Sequence, residues 1–430
     1  AAELKGSGVD HLVLTALDEM AWLFNLRGTD VQYNPVFWCY ALIGRSYARL
    51  YVNQSRLERN AIGYLEDNHV ECRPFESISA DLRDLPLSEH VWIDPNTCNM
   101  MLFKALQSVE SEKNGNRLVE KRSPVSMRKA VKNLVEISGM KEAHRRDSAA
   151  LVRFFAWLEQ KLGEGLKMSE CDVADALENF RSQQEGFFSL SFPTILSAGP
   201  NAAIIHYRPK PESCGMVSQD QIFLCDSGGQ YFDGTTDVTR TLHFGTPSPF
   251  EIECYTRVLQ GHISMASAVF PEGTTGHLLD SFARRPLWSV GLDYKHGTGH
   301  GVGSFLNVHE GPQLISFRPS ASEVALQAGM TITDEPGYYE PGEFGIRVEN
   351  VLLVVEKHTT HNFDSRKFLG FESLTLVPME PSLIDPTLLE PNEKQWIMDY
   401  HNRCLDELSP LLCGDDLALG WLRRKCNRLQ

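Results

Sequence analysis

Apolar positions in the first part of the chain alternate between short continuous runs and spacings of three and four, so strands and helices take turns. Residues 12–14 (Leu-Val-Leu) read as a strand, and 15–26 follow as a helix with Leu17, Met20, Ala21 and Phe24 on one face and Arg27-Gly28 as its stop. The runs 36–43 and 48–52 read as buried strands around the turn Gly44-Arg45-Ser46. Residues 70–75 and 91–93 read as further strands, alternating with helices at 57–65 and 100–106. This is an α/β pattern. The polar stretch 110–122, with Ser111, Asn114, Gly115 and Asn116, predicts a boundary, giving domains at 1–122 and 123–430.

Beyond it, 128–146 is basic but interleaved with Val131, Leu134, Val135 and Ile137. It reads as an amphipathic helix at the junction rather than a nucleic-acid patch. Residues 147–162 continue helically with Leu151, Phe154, Phe155 and Leu158 on one face, and Ser169 with Asp172 predicts the N-cap of the next helix. The pattern then changes to strands and turns: 192–195, the stretch around His206, and a ribbon at 222–241. A helix is predicted at 254–270, loops rich in Gly and His at 291–312, strands at 331–334, 346–355 and 373–377, and terminal helices at 396–405 and 417–426. No repeat is visible, which argues against a solenoid.

With 430 residues the chain is long for one core and favours two domains. Its 41 Lys and Arg against 56 Asp and Glu give a formal charge of -15, which argues against a general binder of nucleic acid or anionic membrane. The ten cysteines form no CxxC pair and several sit in apolar runs, as expected of reduced thiols in a cytoplasmic protein. No run approaches the ~18 apolar residues of a membrane span. No signal peptide is visible, although the chain opens at Ala1 rather than Met.

The candidate chemistry centres on DSGGQYFDGTTDVTRT (226–241), entered from the apolar run Ile222-Phe223-Leu224-Cys225. Two strands joined by a tight Gly/Asp turn would let Asp226 and Asp237 face one point. Such a carboxylate pair calls for a proton, a cationic side chain or a metal between its members. His300 in HGTGHGVG, Glu335 in TITDEPGYY and Glu349 in GIRVENVLLVV complete a mostly oxygen donor set with one imidazole, enough for two divalent ions if carboxylates bridge. Taken singly, each acid reads equally well as a solvated loop residue.

Together with HGTGHGVGSFLNVHEGP, TDEPGYYEPGEFGIRVEN and NAAIIHY, that stretch resembles the aminopeptidase P family, metal-dependent Xaa-Pro aminopeptidases of the cytosolic type. These share the pita-bread fold with prolidase and methionine aminopeptidase. The resemblance covers essentially the whole chain and implies an N-terminal creatinase-like α/β domain followed by a pita-bread catalytic domain, although longer members carry one more domain in front. It also implies that Asp226, Asp237, His300, Glu335 and Glu349 are metal ligands, with Asp237 and Glu349 bridging and Glu335 moving the water's proton. By the same resemblance His206, His296 and His309 line the substrate cleft as catalytic and substrate-binding groups. Arg347 looks like a brace for the cluster or a partner for a substrate carboxyl.

Of the remaining histidines, His262, His277, His358 and His361 read as packed or exposed residues. The glycines within HGTGH predict a loop in which His300 alone, and not His296, ligates a metal. The expected function is removal of the first residue from peptides with proline second, using two ions, Mn2+ by the oxygen-rich donors, with Zn2+ or Co2+ as alternatives. The other readings are a prolidase restricted to dipeptides and a metal-free pita-bread binding module; the latter would be expected to have lost ligands. His296, Tyr338 or Tyr339 and the methylenes of Arg347 are expected to wall the proline pocket. Trp288, taken as an exposed-loop aromatic, is the expected anchor of a homodimer.

Overall fold

The computed structural model describes residues 2–107, 117–320 and 323–427, and divides into compact units at 1–129 and 130–430. Unit one is a mixed six-stranded sheet. Its order across the sheet is Val70–Pro74, Ala48–Val52, Cys39–Gly44, His11–Leu14, Val91–Ile93, Leu118–Glu120. His11–Leu14 pairs antiparallel with Cys39–Gly44 and that strand with Ala48–Val52 through a short turn, while the three remaining pairs are parallel, each reached across a helix. Leu42, Tyr51, Ile78, Leu82, Ile93 and Leu102 fill the core between sheet and helices. The polar break expected at 110–122 lies partly outside the described residues, and its described end supplies the edge strand Leu118–Glu120.

From residue 124 onward the helices expected at 128–146 and 147–162 are rearranged. A short helix, Pro124–Ala130, stops, and a single helix runs Leu134–Gly163. The interruption has three causes. Val131 forms a β-bridge with Met330, the Lys132 N–H donates to the Gly329 carbonyl (2.9 Å), and Asn133 restarts the helix through a capping box with Glu136. The capping box of Ser169 and Asp172 opens Glu170–Ser182 as expected. The helices Pro249–Ala266, Gly276–Trp288, Pro391–Leu408 and Asp416–Asn427 complete the set, so Trp288 ends a helix rather than lying in a loop.

These helices accompany antiparallel sheets, the largest of them six-stranded: Phe270–Pro271, Phe368–Ser373, Asn350–Lys357, Thr331–Asp334, Gly299–Gly301, Glu310–Ile315. The 291–312 stretch is therefore not all loop. Gly299 and Gly301 flank His300 inside this sheet because their missing side chains admit the neighbouring strand; a Cβ on Gly299 would lie 1.9 Å from the Thr333 carbonyl oxygen. Among the described residues no helix is long and apolar enough to cross a membrane.

Candidate active site

The strands Ile222–Ser227 and Val238–His243 pair antiparallel with Asp226 opposite Thr239. The link between them is not one tight turn but a second small hairpin, Gly229–Tyr231 with Gly234–Thr235. Gly228 permits the crossing at its base, where a Cβ would come within 2.0 Å of the Thr236 carbonyl oxygen. Side chains alternate along a strand, so Asp237, Thr239 and Thr241 share the face of Asp226.

Thr239 and Thr241 clamp the segment that carries Arg347 and Glu349. Thr239 Oγ1 donates to Glu349 Oε2 (2.6 Å), Thr241 Oγ1 donates to the Arg347 carbonyl (2.8 Å), and the Arg347 N–H donates back to Thr241 Oγ1 (3.0 Å). Arg347 ends the strand Phe344–Arg347 and its guanidinium is fully engaged: Nη2 donates to Asp226 Oδ2 (2.6 Å), Nη1 to the Tyr339 hydroxyl (2.7 Å) and Nε to Thr239 Oγ1 (3.2 Å). Of the two roles open to Arg347 from the sequence, the geometry is that of the brace.

Asp237, His300 and Glu349 each bring a ligand atom within 4.8 Å of the others. His300 Nε2 stands 3.5 Å from Asp237 Oδ2 and 3.6 Å from Glu335 Oε1, while its Nδ1 lies 2.9 Å from the Gly301 carbonyl, so the nitrogen facing the acids is the free acceptor of a neutral ring. Burial, then the neighbouring His309, pushes His300 down to about 3. Desolvation, with mutual repulsion, holds Asp237 and Glu349 well above the usual carboxylate range, and burial carries Glu335 up to about 8. Asp226 Oδ1 is buried without a hydrogen-bond partner. Four acids, one of them with an orphaned oxygen, around a single acceptor imidazole form a donor set suited to hard divalent cations.

All nine residues singled out from the sequence line one cavity of about 440 Å³: Asp226, Asp237, His300, Glu335 and Glu349, with His206, His296, His309 and Arg347. The histidines differ. His296 is locked, with Nδ1 2.7 Å from the Gly297 carbonyl and Nε2 2.9 Å from the Tyr339 hydroxyl; since that hydroxyl accepts from Arg347, its proton points to His296. Burial and the Arg347 charge push His296 down to about 3. His206 and His309 are exposed at the cavity wall, His309 edge-on to His300 with centroids 4.2 Å apart. The remaining lining is largely apolar, with Phe192, Pro193, Ile195, Ile205, Leu314 and Ile315. Tyr339, not Tyr338, belongs to this region; Tyr338 faces away against Phe250 and Phe344.

Two features were missed from the sequence. The alternation in DVTRT sets Thr239 and Thr241 beside Asp237, a signal that period-two reading could have used. Arg240, on the opposite face, is fully buried and donates to the Glu349 carbonyl (2.7 Å), the Val377 carbonyl (2.6 Å) and the Tyr400 hydroxyl (2.9 Å). His262, read as a packed residue, is indeed buried, against Asp334 beside Glu335 (3.1 Å).

Comparison with known proteins agrees with this arrangement. Residues 138–356 match the model of metallopeptidase family M24, 1–136 that of the creatinase/prolidase N-terminal domain, and 367–429 that of the C-terminal region of peptidase M24. A probable Xaa-Pro aminopeptidase P of Laccaria bicolor is 49% identical over 99% of this chain and 66% of its own length. Aminopeptidase P1 of Arabidopsis thaliana is 43% identical over 98% of this chain and 71% of its own. The crystal structure of an X-prolyl aminopeptidase from Caenorhabditis elegans, described as a cytosolic enzyme with a di-nuclear active site, superposes with a TM-score of 0.93 at 38% identity, over 99% of this chain and 69% of that one. The chain thus spans about two thirds of the length of these relatives. With the creatinase-type unit in front and the acid-rich ribbon and its sheets behind, the chain belongs to metallopeptidase family M24, among proteins named Xaa-Pro aminopeptidase P.

Proposed function

We propose that the chain is a metallo-aminopeptidase that releases the first residue from peptides with proline in second position. The observation that carries the reading is the convergence of Asp237, His300 and Glu349 to within 4.8 Å at a cavity that also holds Asp226 and Glu335. These five would hold two divalent ions, and the oxygen-rich set favours Mn2+. When bound, the ions supply Lewis acidity for the scissile carbonyl and acidify the attacking water.

The chain's own groups do the rest. Glu335 takes the water's proton and delivers it to the proline nitrogen, which cannot leave a tertiary amide unprotonated. Its Oε1 accepts a hydrogen bond from Thr333 (3.2 Å), which fixes the carboxylate's orientation. His206 and His309 have no hydrogen-bond partner among the described residues. Their ring nitrogens are free to donate to the peptide carbonyl and to the oxyanion that forms from it. His296 has both nitrogens occupied, so it serves as a rigid wall, with Tyr339 and Arg347 behind it and Phe192, Pro193 and Leu314 forming an apolar seat for the pyrrolidine ring. The substrate's free α-amino group would meet the acids of the cluster, which limits removal to one residue at a time.

The protein acts in the cytoplasm as a homodimer in this reading, on peptides rather than nucleic acid or membrane. Supporting it are ten free cysteines and Trp288, half exposed at the end of its helix beside Phe317 and Arg284. Hydrolysis of Xaa-Pro-Yaa and Xaa-Pro by the metal-loaded protein tests the assignment. Cleavage of the tripeptide, with dipeptide rates equal or lower, is expected; cleavage of the dipeptide alone makes the protein a prolidase.

A further inference from the structure

The short ladder at the start of the helix Glu170–Ser182 pairs Met168 with Val217 and Ser169 with Met216, antiparallel. One step along the same register sets Glu170 against Gly215, and the Glu170 N–H donates to the Gly215 carbonyl (2.9 Å). Cys171, in the first turn of the helix, and Cys214 adjoin this bonded pair, and the two thiols are near enough for Cys214 to act on Cys171. A disulfide needs Cβ atoms ~4 Å apart, which neighbouring thiols reach with a small adjustment. Both thiols are half-buried, within reach of a small oxidant.

The pair flanks a structural hub. Glu170 is fully buried and accepts hydrogen bonds from the Ala198 N–H (2.8 Å), Asn201 Nδ2 (3.0 Å), the Tyr207 hydroxyl (2.7 Å) and the Gly215 N–H (2.7 Å). The segment so anchored contributes Ile205, His206 and Arg208 to the cavity. We propose that Cys171 and Cys214 are a modification site: they form an intramolecular disulfide under oxidising conditions and staple the root of the His206 segment in the conformation it already has.

With glutathione disulfide as oxidant, the Cys214 thiolate attacks one glutathione sulfur, the S–S bond breaks and one glutathione thiolate leaves. The Cys171 thiolate then attacks Cys214 sulfur in the mixed disulfide and releases the second glutathione. Two protein thiols are oxidised, one glutathione disulfide is reduced to two thiols, and the two cysteine protons end on them. The order follows from the surroundings. Desolvation, followed by the hydrogen bond and charge of Cys214, pushes the Cys171 thiol up to about 12, and the opposing charge is gone once Cys214 is in the mixed disulfide.

The test is incubation of the metal-loaded full chain with glutathione disulfide, then peptide mapping without reductant. A cross-linked peptide pair joining Cys171 to Cys214 is expected, together with a Tm rise of about 5 °C that dithiothreitol reverses, and unchanged turnover. In Cys171→Ser, Cys214 should stop at the glutathione adduct, with no Tm gain. Separate adducts on the two cysteines of the unmutated chain, or a cross-link elsewhere, as between the buried neighbours Cys404 and Cys426, would overturn the proposal. So would a cross-linked protein that keeps its metal and loses turnover.

Discussion

Each unit holds a polar cluster at the edge of its core, and the two are built on opposite terms. In unit one the buried ring of His11 is satisfied on both sides: Nε2 meets Glu89 Oε2 at 2.5 Å and Nδ1 meets the Tyr47 hydroxyl at 2.9 Å. One acid faces one imidazole, and Glu89 keeps over a third of its side chain in water. In unit two, Asp226, Asp237, Glu335 and Glu349 face a single guanidinium already shared among three partners. Asp237, Glu335 and Glu349 are held above their ordinary range, chiefly by burial. A balanced cluster stabilises a fold; a surplus of buried like charge weakens it unless something further binds there, and that imbalance marks a functional site.

Breaking the surplus should have the largest effect. Asp237→Asn and Glu349→Gln should each abolish turnover and leave a folded protein with fewer than two equivalents of metal by elemental analysis. Normal metal content with normal turnover in either variant would sink the ligand assignment. Next come the groups at the wall: His206→Ala and His309→Ala should retain both equivalents while kcat falls on the order of 100-fold. Metal loss would make that histidine a ligand, and unchanged kinetics would remove it from the mechanism.

The surplus of buried acid also predicts a response to pH. In chelator-treated protein Glu335 titrates at about 8 when folded, against 4.5 for its ordinary value. The folded state holds the extra proton, so this stability is complete below 4.5 and is lost as pH rises through 8. Urea midpoints should therefore fall between these limits in the chelated protein and stay flat once a divalent ion is restored. A chelated protein whose midpoint rises over this window contradicts the buried-acid account. The smallest effect belongs to the balanced cluster: Glu89→Gln should cost about 1 kcal/mol of unit-one stability in urea unfolding, with kcat unchanged. A change in kcat would give that cluster a role in the reaction.

How much of this was legible in sequence depended on whether the signal was local. Asp226 and Asp237 stand out because a continuous apolar run delivers the first and a glycine pair precedes the second. The ribbon's second hairpin did not stand out, since its turn at Phe232-Asp233 is set by packing on the long helix: a Cβ on Gly139 would come within 2.2 Å of the Asp233 carbonyl oxygen. The break at 131–133 was hidden for the same reason, because Val131 and Lys132 answer to Met330 and Gly329, far away in sequence. His206 and His309 came mostly from resemblance, having no partner nearby in the chain, whereas Arg347 also stands two residues before Glu349 and so on the same strand face. Arg240 was invisible: its hydrogen bonds go largely to backbone carbonyls, which leave no trace in residue identity. Its neighbour Thr239 could have been placed by strand alternation.

Exposure of Trp288 at 50% offers a test outside the site. Trp288→Glu should shift sedimentation from dimer to monomer, and an unchanged dimer removes Trp288 as its anchor. The central claim, that the surplus acids hold metal for cleavage before proline, is tested most directly by titrating chelated protein with Mn2+ while following release of the first residue from matched Xaa-Pro-Yaa and Xaa-Ala-Yaa tripeptides. Turnover should appear only as the second equivalent binds and only with proline in second position. Turnover without metal, or equal rates on alanine and proline, would contradict it.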